Sequence, residues 1–244
     1  MASVAAKRLE LTPSGFRDRS EAGQYLAHWL ADLAGRTDLL VLGIPRGGIP
    51  VAYEVARALH APLDVIVVRK LGFPGEEELA MGAIASGGVR VLNQEVLHAL
   101  PASRRIVDAV AARELKELER RERIYRGGRP RLDPRGRTVI IVDDGLATGS
   151  SMRAAIESLR QSEAAAIMVA VPVGATSTCR SIAHLVERFE CVIESAEFLA
   201  VGVWYEDFSQ TTDNEVVRLL AQAARSPKVR SKLSSKKRNL EAET

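Results

Sequence analysis

The feature that most constrains this chain is a series of short apolar runs separated by stretches of helical periodicity. Leu39-Leu40-Val41-Leu42-Gly43-Ile44 is the clearest, and 63–68, 137–142, 165–171 and 190–193 are similar. A run this short and this continuous suits a strand buried on both faces of a parallel sheet. Between the runs, Ala22, Tyr25, Leu26, Trp29, Leu30 and Leu33 recur at helical spacing. Ser20 is the expected N-cap there, with Glu21 in the first turn and Gly35 as the stop. Further helices are expected over 51–59, 150–161 and 176–188. Alternating strands and helices predict an α/β fold, a doubly wound and mostly parallel sheet flanked by helices.

Two stretches depart from that rhythm. Residues 69–82 are polar and glycine-containing, with the acidic run Glu76-Glu77-Glu78, and are expected to form a long loop. Ala83-Ile84-Ala85-Ser86 and Val89-Arg90-Val91-Leu92 flank Gly87-Gly88, which predicts a hairpin. A long charged helix is expected from Ser103 to Tyr125. Hydrophobic residues make up 46% of the chain and aromatics 5%, so the core must rest on Ala, Val, Leu and Ile. The net charge of +3 is concentrated at the end, where residues 226–244 hold six Lys/Arg against two Glu. That segment is expected to be a solvated, disordered tail on a single domain spanning 1–225, and nucleic acid is not the expected partner. Cys179 and Cys191 lie in no ligand-like spacing and are expected to be free thiols. The first eight residues lack a long apolar run, and no stretch reaches the ~20 apolar residues of a membrane helix. A cytoplasmic protein without a membrane partner is the expectation.

The chemistry concentrates where one strand ends. After Val139-Ile140-Ile141-Val142 come two adjacent carboxylates, Asp143 and Asp144. A turn of small residues follows, Gly145-Leu146-Ala147-Thr148-Gly149, and opens a helix with Ser150 and Ser151. Unpaired N–H groups and the positive end of the dipole make a helix N-terminus receptive to phosphate. Gly149 permits close backbone approach, and Thr148, Ser150 and Ser151 add hydroxyl donors. Two carboxylates would repel a phosphate placed beside them, but a few ångströms away they accept hydrogen bonds from sugar hydroxyls. A phosphate at one end and a vicinal diol in the middle is the shape of ribose 5-phosphate. No G-x-x-x-x-G-K-[ST] is present, and no G-x-G-x-x-G opens a helix after the first strand.

Val142-Asp143-Asp144-Gly145-Leu146-Ala147-Thr148-Gly149-Ser150-Ser151-Met152 resembles the 5-phosphoribosyl-1-diphosphate (PRPP) motif of type I phosphoribosyltransferases, especially the adenine-type form. The resemblance implies that Asp143 and Asp144 hold the ribose hydroxyls and that Ala147, Thr148, Gly149, Ser150 and Ser151 cradle the 5-phosphate. It implies Mg²⁺ as cofactor, arriving with PRPP near Asp143 and Asp144, a small nitrogenous acceptor and a homodimer. Two departures stand out. Gly145 replaces a usually apolar residue, and Ala147 stands where hypoxanthine/guanine-type members carry an Asp.

Pro45-Arg46-Gly47-Gly48-Ile49-Pro50 again joins glycines, a helix N-terminus and a cation, which suits a diphosphate. In the family the corresponding loop holds pyrophosphate. Arg69 and Lys70 end the next strand and are candidates for the same diphosphate, with Arg46 and Lys70 as the catalytic pair. The 71–82 stretch matches the place of the family's flexible catalytic loop, and Glu78 is a weak candidate within it. Residues 196–210, with N-terminal residues as a further candidate contribution, match the small hood that covers the acceptor. Trp204, Tyr205 and Phe208 either stack on a planar ring there or cover the sheet edge. Glu206 and Asp207 are candidate acceptors of its hydrogen bonds. None of His28, His60, His98 and His184 lies in a motif. A phosphoribosyl transfer enzyme is the leading expectation. The alternative is a non-catalytic PRPP- or nucleotide-sensing protein with its basic tail on nucleic acid.

Overall fold

The structure is a computed structural model and describes residues 15–99 and 104–225, without the side chains of Glu77, Glu78, Glu95 and Ala99. The 226–244 tail, the first residues of the chain and the Glu78 side chain lie outside the described residues.

In chain order the elements are α1 (Arg19–Trp29), β1 (Leu39–Gly43), α2 (Gly48–Leu59), β2 (Leu63–Val65), β3 (Val68–Phe73), β4 (Glu76–Ala85) and β5 (Val89–Leu92). Then follow α3 (Gln94–Ala99), α4 (Arg104–Arg126), β6 (Thr138–Val142), α5 (Ser150–Gln161), β7 (Ala166–Ala175), α6 (Thr176–Ala183), β8 (Arg188–Ser195) and α7 (Asp213–Arg225). A 3-10 turn, Val201–Trp204, lies between β8 and α7. Five strands form one sheet in the order β2-β1-β6-β7-β8, and every neighbouring pair is parallel.

The unbroken apolar runs have a direct explanation. Leu39 and Val41 of β1 and Ile140 and Val142 of β6 point to one core, built with α1, α2, α4 and α7. Leu40 and Leu42, Val139 and Ile141 point to the other, against α5 and α6. Both faces of β1 and β6 are covered, so both alternating sets must be apolar. Each Leu or Ile hidden this way contributes about 1.5–3 kcal/mol of burial.

Several boundaries differ from expectation. The cap of α1 is Asp18, whose carboxylate accepts from Glu21 N–H at 2.8 Å, so the helix starts before Ser20. It ends at Trp29, short of Gly35. The run 63–68 is not one strand: pairing with β1 stops at Val65, and Val68 starts a second sheet. The expected loop at 69–82 is mostly strand as well. β3, β4 and β5 form a separate antiparallel sheet with a register shift near Gly72, and α4 and α5 support it. Periodicity missed it because glycines and an acidic run interrupt the alternation.

Candidate functional site

The sheet order fixes where a ligand fits. From β1 the chain winds outward to β2, and from β6 it winds the other way to β7 and β8. The loops leaving β1 and β6 therefore diverge, and the crevice beyond their carboxyl ends is the topological switch point of an open α/β sheet. Residues 44–48 and 143–149 fill that position, so the two loops singled out by their composition are brought together by topology.

They meet closely. Ile44 N–H donates to Val142 O at 2.9 Å, and Gly48 N–H to Ile44 O at 3.0 Å. A Cβ on Gly47 would stand 1.9 Å from Asp144 Oδ2, and one on Gly48 would stand 2.9 Å from Asp143 Oδ1. Only glycines let the β1 loop lie against the acidic pair. The peptide between Pro45 and Arg46 is cis. Arg46 is half-buried, and its guanidinium lies 3.7 Å from Asp213 Oδ1 at the start of α7. Tyr125 donates to the same Asp213 oxygen at 3.0 Å. Burial, reinforced by the acceptor Asp213, pushes the Tyr125 hydroxyl up to about 12.

The β6 loop is pinned to β7. Leu146 N–H donates to Val173 O and Ala175 N–H to Leu146 O, each at 2.9 Å. Thr178 on α6 donates its hydroxyl to Ala147 O at 2.7 Å. Gly149 adopts φ 74°, the left-handed conformation that costs a glycine nothing, and it opens α5 without a side-chain cap. The first N–H groups of α5 thus face outward with no side chain of their own to satisfy them. Thr148 and Ser150 hydroxyls lie 3.2 Å apart at the same end. Gly145 is a glycine for a local reason: a Cβ there would come within 2.5 Å of Val201.

The carboxylates differ in surroundings. Asp143 holds its proton well above the ordinary carboxylate range, first because it is desolvated and then because Asp144 is adjacent. Asp144 instead receives Arg19 Nε at 2.8 Å on Oδ2. The side chains of this pair are only 11% and 16% exposed, so they form one unit rather than a surface contact. Composition and spacing offered no sign of Arg19, because its partner is distant in the chain and only the fold joins them. The pattern Phe16-Arg17-Asp18-Arg19 just ahead of a helix was the sole available signal.

The segment expected to form a hood wraps this corner. Phe16 N–H donates to Trp204 O, and Glu206 N–H donates to Phe16 O, each at 2.9 Å. Phe16 is therefore paired with this segment. Tyr205 is buried, flanked by Phe16 and Phe208, and its hydroxyl donates to Asp144 O at 2.6 Å. Its ring thus packs against the acidic loop. Trp204 packs on Phe198 with ring centroids 6.5 Å apart, and Asp207 accepts from Ser209 N–H at 2.8 Å.

The remaining candidates lie on the antiparallel sheet. Arg69 turns to α4, where Glu114 takes its Nε at 2.9 Å and its NH2 at 2.7 Å. Lys70 is exposed and lines a cleft of about 230 Å³ between β3–β5 and α5, together with Ser150, Ser151 and Arg153. The hairpin thus faces the phosphate-ready helix end. Cys179 and Cys191 are free thiols, close to Glu194 and behind the β6 loop.

The phosphoribosyl transferase domain family matches residues 19–206. The chain belongs to this family. It is 47% identical over 210 residues to two Mycobacterium tuberculosis proteins, from strains CDC 1551 and H37Rv, classed by name among the phosphoribosyl transferases. The match covers 86% of this chain and 47% of each relative, so the chain spans about half their length. Among solved structures it is similar to the protein TT1426 from Thermus thermophilus, with a TM-score of 0.75 and 41% identity. That match covers 85% of this chain and 98% of the other. The family match spans the five-stranded sheet and both loops. Among the described residues, no helix is long and apolar enough to cross a membrane.

Proposed function

We propose that this chain binds Mg-PRPP at the β1/β6 switch point and transfers its 5-phosphoribosyl group to a nitrogenous acceptor, releasing pyrophosphate. The observation that carries the reading is the contact of the two loops, Gly47 and Gly48 lying against Asp144 and Asp143. A ligand filling both loops must carry a diphosphate beside a diol and a phosphate beyond it. In this reading the N–H groups and hydroxyls of Thr148, Gly149, Ser150 and Ser151, with the backbone of Ala147, take the 5-phosphate. Asp143 and Asp144 take the ribose hydroxyls.

Arg46, Gly47 and Gly48 take the diphosphate, Arg46 exchanging its contact with Asp213 for a phosphate oxygen. Arg69 is held by Glu114 and would have to leave it to reach the same group. The acidic pair beside the glycine cradle is an oxygen-only donor set, which fits a hard cation arriving on the substrate. Mg²⁺ so bound would neutralise charge building on the leaving diphosphate. Bond breaking at the anomeric carbon develops oxocarbenium character, and the chain's part is to fix the sugar and stabilise the departing charge through Arg46 and Lys70. Closure of the β3–β4 hairpin over the cleft would exclude water from a substrate that hydrolyses. Trp204 and Asp207 on the hood are the candidate acceptor contacts. A homodimer in the cytoplasm belongs to the same reading.

Pyrophosphate release measured across purines, pyrimidines and nicotinate-like acceptors with Mg-PRPP tests it. One productive acceptor is expected. A silent panel with PRPP binding intact would replace the enzyme by a PRPP-sensing module.

A further inference from the structure

Arg19 stands at a junction that the PRPP reading leaves unexplained. Its Nε donates to Asp144 Oδ2 at 2.8 Å and its NH1 to Ser209 O at 2.8 Å. Its guanidinium carbon lies 3.8 Å from the centroid of the Phe208 ring and 5.9 Å from that of Tyr205. A Cβ on Gly47 would be 3.1 Å from Arg19 Nε. One cation therefore touches the acidic pair, the hood backbone and the hood aromatics, and it borders the diphosphate loop. Its backbone is placed by the helix: Arg19 is the first residue of α1, and the Asp18 cap fixes that end. The planar fork satisfies two acceptors in different directions while its face lies on an aromatic ring, a combination that a lysine ammonium reproduces only in part.

From this geometry we infer that Arg19 is a positioning residue for the ribose: it holds Asp144 in the orientation that accepts the sugar diol, and it ties that orientation to the hood. The inference rests on the PRPP reading of residues 143–151. Asp144 has two carboxylate oxygens, and Arg19 occupies Oδ2. The backbone of Asp144 is held as well, by Tyr205 on its carbonyl at 2.6 Å. Held at both ends, the carboxylate presents its other oxygen in a fixed direction, beside the Asp143 side chain. Without Arg19 the side chain loses the partner that fixes Oδ2 against Gly47 and is free to turn away from the sugar. The hood contact adds a consequence. A planar acceptor entering beside Phe208 must pack near the same guanidinium, so acceptor and sugar sense one another through Arg19.

The test compares two probes on the full chain by calorimetry, ribose 5-phosphate and inorganic phosphate, in wild type, Arg19→Gln and Arg19→Lys. Arg19→Gln is expected to weaken ribose 5-phosphate at least tenfold and to leave inorganic phosphate within twofold. Arg19→Lys should recover part of the lost sugar affinity. Equal weakening of both probes in Arg19→Gln would mean that Arg19 merely supports the fold, and it would overturn the inference. Equal sugar affinity in wild type and Arg19→Gln would overturn it too. A wild-type protein that does not bind ribose 5-phosphate would refute the PRPP reading itself, an outcome separable from the other two. If Arg19→Gln does not fold, Phe208→Leu serves as a second variant, expected to lower sugar affinity several-fold without touching phosphate. An unchanged ratio of the two affinities in that variant would overturn the tie to the hood.

Discussion

The five-stranded parallel sheet and the three-stranded antiparallel sheet solve different problems with similar residues. In the parallel sheet, β1 and β6 are buried on both faces and their pairing is regular. In the antiparallel sheet, β3 and β5 are half-exposed, and the register slips near Gly72. It is held from outside, by Arg69 on Glu114 and by Ser158 Oγ donating to Ser86 O at 2.8 Å. In the proposed function the contrast separates a ligand cradle from an element suited to moving over it.

Asp144→Asn strikes the loops of the parallel sheet hardest. It removes the charge that Arg19 faces and leaves a largely buried guanidinium unpaired. Loss of one partner of such a pair costs about 2–5 kcal/mol, so PRPP affinity should fall by two orders of magnitude or more in calorimetry. Gly47→Ala should act next. Its Cβ would stand 1.9 Å from Asp144 Oδ2 and must push the loops apart. Overpacking of this kind costs about 1–3 kcal/mol, read as weaker diphosphate binding with the circular dichroism spectrum unchanged.

Glu114→Gln addresses the other region. It loosens the anchor of β3, and loss of a charged hydrogen bond costs about 1.5–3 kcal/mol. A lowered Tm with ribose 5-phosphate affinity unchanged would sharpen the contrast. An equal loss of both would break it, since the hairpin would then be part of the sugar site.

The smallest effect concerns pH. Asp143 has a folded-state value above its unfolded one, so its contribution to stability is fully present below the ordinary carboxylate range and is lost as pH rises through the raised value. Asp143→Asn should flatten that decline. Denaturant titrations from about pH 4 upward should show the wild type losing stability that the variant keeps. Parallel slopes would place Asp143 in a more solvated setting than its burial indicates.

How legible this was depended on whether information was local. The β6 strand, the carboxylates at its end and the α5 helix at 150–161 read correctly, because apolar continuity and a helix start are encoded in adjacent residues. Gly47 and Gly48 also read as a glycine turn before a helix, although their reason for being glycine lies at the end of β6 and in the loop after it. The hairpin at 68–85 was hidden, since glycines and acidic residues on an externally braced sheet look like a loop. Arg19 was hidden more deeply, because its meaning comes from a carboxylate on the other side of the fold.

The central claim is that the two loops form one PRPP site, and calorimetry of the full chain with PRPP in the presence of Mg²⁺ tests it most directly. The account predicts micromolar binding at one site per chain, nearly abolished in Asp144→Asn and competed by both ribose 5-phosphate and pyrophosphate. Binding that is absent, or that survives Asp144→Asn unaltered, would contradict it.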